Sequence, residues 1–399
     1  MKRKILIPLL AAVLAVLAAG CGADKSSGHP FQEEPGAVEP LTAGNAEELL
    51  AKMSTEQKVG QLFLVRPEAL DLTLTPQQRE HPLTDGLTEA TAQVRTTLAD
   101  YPVGGFLFFG KNFTDAEQLT KMMGGLTSSL EVPPLFAVEE EGGSVARVAN
   151  SGKFGVATVH DMKVIGDSGD PAQARTAAAT IGTYLKDLGF HLTLAPVADV
   201  LTDSKNIDLV GRAFSDNPET VSMVISAAVE GFHAGGVGCT LKHFPGQGEA
   251  DLSAGSGATE KTWDEMLTCE IYPFQAGMAG GADAVMVSHI ATPNAVANGQ
   301  LPASLNPAMV TGKLREELRF QRVVITDSLS MSAITDNYSA DQAALLAFQA
   351  GADILLLPED LPAAYDAILT AVQDGTIPQQ RLDESVLRIL QLKEKYGLI

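Results

Sequence analysis

Eight short apolar runs of strand length recur along this chain, and stretches with helical patterns separate them. The runs do not alternate strictly between apolar and polar residues, which is typical of parallel strands covered on both faces. Eight such units predict an α/β fold, a (β/α)8 barrel of the TIM type, as a single domain over residues 45–399. A doubly wound sheet is the alternative, but it usually has fewer units and a phosphate-binding loop after its first strand. The predicted strands are Val59–Val65, Val103–Phe109, Leu135–Val138, Leu192–Val197, Val237–Leu241, Ala284–Ser288, Val323–Thr326 and Ile354–Leu357.

Helix start and stop signals lie between these runs. An N-cap residue followed by Pro predicts a helix start, and Gly predicts a helix end. A side-chain pair spaced as a capping box predicts an N-terminal helix. The predicted starts are Asp170–Pro171, Asn217–Pro218 and Asn306–Pro307, and the predicted ends are Gly235 and Gly351. Asn45 with Glu48 forms the capping-box pair. A last helix is predicted to begin near Asp383, with Val386, Ile389, Leu390 and Lys393 at helical spacing.

The N-terminus has the pattern of an export signal. Three cations, at residues 2–4, precede the uncharged apolar run Ile5–Ala19, which is short for a membrane span. Leu17–Cys21 resembles a bacterial lipobox, which implies a signal peptide over residues 1–20 and lipidation of Cys21. The alternative is a plain signal peptide with a chance cysteine. Residues 21–44, rich in Gly, Pro, Ser and Glu, are predicted to be a flexible tether. We therefore expect an extracytoplasmic protein of the cell envelope that touches the membrane only through its lipid anchor.

Composition narrows the possible partners. The formal net charge is −21 and no cluster of Lys and Arg occurs, so nucleic acid is not an expected partner. Cys239 and Cys269 are expected to be buried free thiols. No Cys/His spacing resembles a zinc site, and no Gly-rich phosphate loop follows a predicted strand. The protein is expected to be a monomer.

Polar residues follow or end several of the predicted strands. They are Glu139–Glu141, Asp199, Lys242–His243, His289 and Asp327. In a barrel of parallel strands, the chemistry occurs at the carboxyl ends, so these residues are expected to share one face. Each alone is compatible with an ordinary ion pair or helix cap. Lys242 is also compatible with a Schiff-base lysine, which would make the protein an aldolase; trapping with borohydride and a carbonyl substrate would test this.

Several of these residues lie in motifs that resemble one family. Lys242–Gly246 reads K-H-F-P-G, Ala137–Arg147 reads A-V-E-E-E-G-G-S-V-A-R, and Ala195–Val200 reads A-P-V-A-D-V. In the same order along the chain, these runs resemble signatures of glycoside hydrolase family 3, specifically its single-barrel β-N-acetylglucosaminidases. Further matches are Glu56–Phe63, Gly211–Phe214, Val287–His289 and Ile325–Met331.

The resemblance implies a retaining glycosidase of carbohydrate substrates, without a cofactor. Asp327 would be the nucleophile that forms a covalent glycosyl–enzyme intermediate. Asp199 would order the pocket floor, and Glu139 would replace the sugar-binding Asp of the family. The enzyme would remove terminal β-N-acetylglucosamine, or a related β-sugar, from glycans or peptidoglycan fragments. The other residues expected to bind substrate are Arg147, Arg212, Lys242, His243 and His289.

The sequence departs from the family at the general acid/base. The family carries an Asp-Ser-His after its K-H-F-P-G-H-G run, and the His donates the proton. The corresponding loop, residues 246–257, contains no His. Glu249, Asp251 or Glu260 would have to supply the proton, and we favour Asp251 for its position in the loop. The family's Arg is Ser144 here. The alternative is a lipoprotein that binds sugar on a degenerate barrel without cleaving it.

Overall fold

The computed structural model describes residues 38–80, 86–250 and 257–399. Eight parallel strands form one sheet in the order β10-β1-β2-β3-β6-β7-β8-β9. A bridge between Ile325 in β9 and Ile354, which directly precedes β10, joins the two ends of this sheet. The fold is therefore the predicted (β/α)8 barrel. The strands are β1 Phe63–Val65, β2 Gly105–Phe108, β3 Leu135–Val138, β4 Glu140–Gly142, β5 Val145–Ala146, β6 Leu192–Thr193, β7 Gly238–Phe244, β8 Ala284–Val287, β9 Val323–Thr326 and β10 Leu355–Leu356.

Helices surround the barrel and connect its strands. Residues Ala308–Glu317, between β8 and β9, form a π-helix instead of an α-helix. The α-helices are α1 Ala46–Lys52, α2 Thr55–Gln61, α3 Pro76–Glu80, α4 Ala92–Asp100, α5 Ala116–Thr127, α6 Met162–Ser168, α7 Pro171–Asp187, α8 Pro218–Gly235, α9 Trp263–Leu267, α10 Ile271–Ala279, α11 Ser332–Thr335, α12 Ala340–Ala350, α13 Leu361–Gln373 and α14 Gln379–Lys395.

All eight predicted strands are present, with two informative changes in their bounds. Residues 59–61 belong to α2, because Ser54 and Gln57 form a capping box that starts the helix at Thr55. The fifth barrel strand, β7, continues beyond Leu241 to Phe244. The family-like residues Lys242 and His243 are therefore held within a strand and do not follow one.

The helix signals are largely confirmed. Asp170 and Asn217 cap α7 and α8 through their side chains, and Gly351 ends α12 with a φ of 121°. The capping box at Asn45 is half formed: Asn45 accepts from the Glu48 N–H, but the Glu48 carboxylate accepts from the Gly44 N–H. Three boundaries differ from the prediction. Gly235 is the last residue of α8, and Gly236 caps it. Asn306 accepts from the Ala308 N–H, but the helix that begins there at Ala308 is the π-helix, with Pro307 in the cap position. α14 begins at Gln379, before Asp383, and Gln379 donates to Asp383 across the first turn.

The last helix covers the amino-terminal ends of the barrel strands. Arg388 of α14 pairs with Asp353, which lies just before β10, and Lys395 pairs with Asp283, which directly precedes β8. Lys393 donates to the carbonyl of Pro133, close to the start of β3. The mouth formed by the carboxyl ends of the strands is therefore opposite α14.

Two further sequence predictions concern the thiols and the membrane. Cys239 is buried and Cys269 is half-buried, and both are free thiols. Within the described ranges, we find no helix that combines the length and the apolar character needed to cross a bilayer. Residues 1–37, which include the predicted signal peptide, Cys21 and most of the tether, lie outside the described residues.

Candidate active site

The residues predicted at the strand ends lie at the carboxyl-terminal mouth of the barrel. Glu139 directly follows β3, Asp327 directly follows β9, and His289 is the second residue after β8. Lys242 and His243 are among the last three residues of β7. Because the carboxyl ends of parallel strands meet at one end of a barrel, one face collects these side chains.

A buried ion cluster forms the centre of this mouth. Lys242 Nζ, fully buried, lies 2.9 Å from Glu139 Oε1 and 2.7 Å from Glu141 Oε1. Arg147 Nη2 lies 2.7 Å from Glu139 Oε2. Arg212 holds Glu141 with two bonds, from Nε at 2.9 Å and from Nη2 at 2.7 Å. Three cations and two carboxylates thus fix one another with charge-assisted hydrogen bonds.

The protonation states of this cluster follow from its contacts. Burial alone would raise the pKa of Glu139, but Lys242 and Arg147 outweigh it and lower that pKa far below the usual range. The pKa of Glu141 is also lowered, because Lys242 and Arg212 outweigh its burial. Burial opposes the charge on Lys242, but the two carboxylates raise its pKa overall. All three groups are therefore charged at neutral pH and form a fixed set of charges at the mouth.

The hairpin β4–β5 brings Arg147 to the mouth. Its turn has a φ of 57° at Gly143, and a Cβ there would clash with Asp161 Oδ1, so only glycine fits. Ser144, which stands where the family has Arg, is exposed at this turn. The Arg147 guanidinium lies 5.8 Å from the ring centroid of Phe109, and that of Arg66 lies 3.8 Å from the same ring. Cationic and aromatic groups therefore line the rim beside the ion cluster.

Asp199 lies below the mouth, bonded to the end of β7 and the loop that follows it. It is fully buried, and Oδ2 accepts from His243 Nδ1 at 2.7 Å and from the His243 backbone N–H at 3.1 Å. Its Oδ1 accepts from the Gln247 N–H at 2.9 Å. Because a carboxylate only accepts, His243 carries a proton on Nδ1 and its Nε2 is directed away from Asp199.

Asp327 is half-buried at the mouth and its backbone N–H bonds to Val287 O at 2.8 Å. Its Oδ1 accepts from the Ser328 N–H at 2.8 Å. The neighbouring His289 donates from Nε2 to Ser328 O at 2.8 Å and accepts at Nδ1 from Ser304 Oγ at 2.7 Å. Burial lowers the pKa of His289, although Asp327 opposes this, so the ring is neutral. Both ring nitrogens of His289 therefore have hydrogen-bond partners within the protein, and the bond to Ser328 O holds the segment that carries Asp327.

Two of the candidate proton donors in the loop after β7, Glu249 and Glu260, lie within the described residues. Glu249 Oε1 pairs with Lys261 Nζ at 2.9 Å, and its Oε2 accepts from Thr259 Oγ1 at 3.1 Å. Glu260 is exposed and accepts from Asn294 Nδ2 at 3.1 Å. Asp251, the favoured proton donor, lies outside the described residues. In this structure, therefore, both oxygens of Glu249 already have partners.

Two residues of the site were given no role from the sequence. Glu141 contacts both Lys242 and Arg212. Glu140 instead accepts from the N–H groups of Val148 and Ala149 and from Tyr184. Successive side chains of an extended segment point to opposite sides, so this alternation is the signal that pairs Glu139 with Glu141. The second residue is Asn206, whose Nδ2 donates to Gln247 O and Ala250 O and so holds the loop.

One group with metal-ligand chemistry lies elsewhere in the described ranges. His233, Cys239 and Asp283 have ligand atoms within 4.8 Å of one another. Asp283 Oδ2 accepts from His233 Nε2 at 2.8 Å and from the Tyr396 hydroxyl at 2.9 Å, and Lys395 pairs with Oδ1. Burial raises the pKa of the Cys239 thiol, which disfavours the thiolate a metal would need. These donors make the cluster an anchor for α14, at the end of the barrel opposite the mouth.

Comparison with known proteins agrees with this geometry. Residues 54–392 match the family described as "Glycosyl hydrolase family 3 N terminal domain". The chain is 33% identical over 298 residues to a beta-hexosaminidase of Stenotrophomonas maltophilia (strain R551-3), covering 73% of this chain and 86% of that protein. A family 3 beta-N-acetylglucosaminidase from Paenibacillus sp. str. FPU-7 superposes with a TM-score of 0.77 at 32% identity, covering 87% of this chain and 63% of that one. LpqI of M tuberculosis superposes with a TM-score of 0.75 at 27% identity, covering 89% and 98%. The chain belongs to glycosyl hydrolase family 3.

Proposed function

We propose that this protein is a retaining β-N-acetylhexosaminidase with Asp327 as its nucleophile. The observation that carries the proposal is the position of Asp327, half-buried at the end of β9 and on the same face as the Lys242 cluster. The relatives named beta-hexosaminidase support the substrate class, a terminal β-linked N-acetylhexosamine. Peptidoglycan fragments and related glycans are the sources of that sugar in a bacterial envelope.

The reaction proceeds in two displacements at one carbon. The Asp327 carboxylate attacks the anomeric carbon and forms an ester bond as the bond to the leaving oxygen breaks. The leaving oxygen takes a proton from a general acid. Water then attacks the same carbon, gives its proton to the general base, and releases the Asp327 carboxylate. Two inversions produce net retention. Protein groups and water are sufficient for each step.

The fixed charges of the mouth are suited to hold the sugar hydroxyls. Lys242, Arg147 and Arg212 supply N–H donors, and Glu139 supplies acceptor oxygens. His243 presents Nε2 on the side away from Asp199. Because the carboxylates and cations already fix one another, little side-chain entropy is lost when the sugar binds. This arrangement is preorganised for a neutral, hydroxyl-rich ring.

The proton donor is assigned to the loop after β7. We favour Asp251, on its position in the sequence, over Glu249 and Glu260. Glu249 is held by Lys261 and Thr259, and it would have to leave at least one of them to reach a substrate. Carboxylic acids perform this step in most glycosidases.

The test is the Asp327→Asn variant. Asn retains an oxygen that accepts from the Ser328 N–H, so the fold is expected to persist while the nucleophile is lost. We expect hydrolysis of an aryl β-N-acetylglucosaminide to fall by roughly 10³-fold or more. Asp264→Asn, at an exposed position on α9, is the control and is expected to keep full activity. A mechanism-based fluorosugar is expected to label Asp327 of the wild-type protein. Comparable activity in the Asp327 variant would overturn the nucleophile assignment.

A second candidate is a sugar-binding protein without turnover. The observation that favours it is the loop without His, in which Glu249 is engaged by Lys261 and Thr259. Calorimetric binding of N-acetylglucosamine, combined with no hydrolysis of any activated aryl β-glycoside, would decide for this candidate. Turnover that depends on Asp327 decides for the hydrolase.

We further propose that the protein acts at the extracytoplasmic face of a membrane, as a monomer anchored through a lipidated Cys21. The basic residues 2–4, the apolar run Ile5–Ala19 and the lipobox-like Leu17–Cys21 support this. Changing Cys21 to Ser is expected to block processing or release the protein, whereas Cys269→Ser is expected to change neither. A processed Cys21→Ser protein that stays in the membrane fraction would contradict the anchor. Elution of the mature protein as a dimer in gel filtration would contradict the monomer.

A further inference from the structure

A second concave surface lies on the outer wall of the barrel. It is an open groove of about 1000 Å³ between α12 and α13, lined also by residues that follow α13. We call it the outer groove. Leu345 and Leu346 of α12 and Ala367 of α13 form its half-buried base. It is separate from the catalytic mouth, because helices of the outer layer line it and the barrel strands do not.

The polar lining of the outer groove has a consistent chemistry. Tyr338, half-buried and packed in part against the core, contributes an aromatic ring and a hydroxyl. Asn337 and Gln349 offer amides, and Asp341 and Asp366 offer carboxylates. The side chains of Tyr338, Asn337, Gln349 and Asp366 make no hydrogen bond to another described residue. Their donors and acceptors are therefore available to a ligand.

The charge of the lining restricts the ligand. None of the described residues that line the outer groove is Lys, Arg or His. A phosphate, a nucleic acid or an acidic peptide would meet only carboxylates and would be repelled. A neutral sugar chain fits, since its hydroxyls donate to carboxylates and amides and its C–H faces pack on an aromatic ring and on Leu or Ala side chains. The open shape suits an extended ligand better than a small enclosed one.

The outer groove begins on the segment that carries the nucleophile. Asp327 ends β9, and the same connection continues through Met331 and α11 to Asn337 and Tyr338. Met331 and Ala333 of this connection pack against Ile290, in the segment after β8, and Ala250, in the loop after β7. One connection therefore contributes to the rim of the mouth and to the upper end of the groove.

We propose that the outer groove is a secondary binding site for a glycan chain, which holds a polymeric substrate while its end enters the mouth. The proposal rests on the glycosidase function proposed above and specifies the substrate as a polymer of β-linked N-acetylhexosamine. Tyr338 stacks on one sugar ring, and Asp366 and Gln349 accept and donate hydrogen bonds to the hydroxyls of the next. The ligand remains unchanged at this site, because the bond-breaking groups are in the mouth.

The experiment measures binding and turnover separately. Affinity electrophoresis through gels containing glycol chitin reports binding, and it uses full-length protein carrying Asp327→Asn so that the polymer is not cleaved. We expect retardation of this protein, and a roughly fivefold to tenfold weaker affinity after Tyr338→Ala or Asp366→Ala. Tyr272→Ala is the matched control, because Tyr272 is 45% exposed on α10, another outer helix. It is expected to bind like its parent.

Turnover is measured in proteins that keep Asp327. Tyr338→Ala and Asp366→Ala are expected to raise KM for glycol chitin about fivefold and to leave kcat/KM for an aryl glycoside within about twofold. No retardation in glycol chitin, equal retardation of all variants, or an equal loss in Tyr272→Ala would overturn the proposal. Retardation by polylysine in place of glycol chitin would show a cationic-peptide site and would also overturn it. A protein that binds glycol chitin through Tyr338 but hydrolyses no aryl glycoside would refute the glycosidase and leave the groove assignment standing.

Discussion

Glu141 Oε1 lies 2.7 Å from Lys242 Nζ, and Glu139 Oε1 lies 2.9 Å from the same atom. The buried ammonium therefore separates two carboxylates that would otherwise repel each other. Removal of one partner from such a cluster leaves charges without compensation in a medium of low polarity, which is more costly than loss of a surface ion pair. The cluster thus links the chemistry of the mouth to the stability of the barrel.

We expect Lys242→Met to lower the free energy of unfolding by about 3–5 kcal/mol at pH 7, measured by urea denaturation. Lys313→Met is the control, because Lys313 forms a more exposed pair with Glu317 and its loss is expected to cost about 1 kcal/mol or less.

The pKa values of Glu139 and Glu141 are lowered in the folded state, so the stabilisation that these two carboxylates contribute is present above about pH 4.3 and is lost as the pH falls through their folded pKa values. The difference between wild type and Lys242→Met should therefore shrink below about pH 4. Equal losses in the two variants would contradict the role of Lys242.

Asp199→Asn is expected to affect the floor of the mouth. The carboxylate accepts from three N–H groups, and an amide would place its own N–H₂ against one of these donors. Loss of such a buried hydrogen bond costs about 1–3 kcal/mol of folding free energy at most, so we expect the fold to persist. The same loss at the mouth is expected to lower kcat/KM for an aryl glycoside roughly 10- to 100-fold. Thermal unfolding checks the fold. Asp203→Asn, at an acceptor in an exposed turn, is expected to stay near wild-type activity; an Asp199 variant that behaves like it would argue against the floor assignment.

The proton donor is tested by the dependence of rate on the leaving group. If Asp251 is the acid, Asp251→Ala should make the rate fall steeply as the pKa of the leaving phenol rises, with losses of about 10²–10⁴ for poor leaving groups and little change for the best ones. Azide should then accelerate breakdown of the intermediate. Glu249→Gln and Glu260→Gln test the other two candidates, and Asp264→Asn, at an exposed position on α9, is the control. Rapid hydrolysis of both good and poor leaving groups in the double variant of residues 249 and 251 would place the acid elsewhere.

A fourth prediction concerns Lys393, buried beneath the barrel. Its Nζ donates to Gln61 Oε1 at 2.6 Å and to Pro133 O at 2.7 Å, and no carboxylate of the described residues pairs with it. Burial lowers its pKa to about 7. Between about pH 7 and 10.4 the unfolded chain therefore binds more protons than the folded one, so this group makes stability rise with pH by up to about 1.4 kcal/mol per unit.

Lys393→Met removes that contribution. Wild type should gain stability relative to this variant as the pH rises from 7 to 9, as measured by denaturant midpoints at each pH. Lys52→Met is the matched control, because exposed Lys52 also donates to a backbone carbonyl, that of Thr42. A pH-independent difference between wild type and Lys393→Met would show that Lys393 does not titrate in this range.

The barrel itself was predictable because its strands are short, apolar and separated by capped helices. Lys242 and His243 were predictable as site residues because they lie in a recognisable motif. Glu141 was named among the residues at the strand ends but was given no role, because three consecutive glutamates look alike in a sequence and only the alternation of an extended segment separates Glu140 from its neighbours. Lys393 was recognised only as a residue at helical spacing with Val386 and Ile389, and the structure shows that it is buried with them.

Other contacts depend on tertiary structure alone. Asp283 meets His233, Lys395 and Tyr396, which come from two different helices and the residue after α14, and no local spacing relates these positions. The tie between Lys261 and Glu249 is of the same kind, because it depends on how the loop after β7 returns to the barrel. Sequence motifs named the candidate carboxylates, but they contained no information about which of them are engaged by neighbours.

The closure of the barrel by its last strand has a consequence for the newly made chain. β1 pairs with both β2 and β10, and Gln61 bonds to Lys393, 332 positions later. Until the ribosome has released the segment that contains Leu355 and Leu356, β1 and β9 each keep one edge without a partner. Such edges favour pairing with other chains, and contacts between distant segments form slowly. A chaperone that binds the nascent protein would therefore have to shield the open edge of β1 throughout most of its synthesis, and that of β9 only from the emergence of Val323–Thr326 until β10 follows.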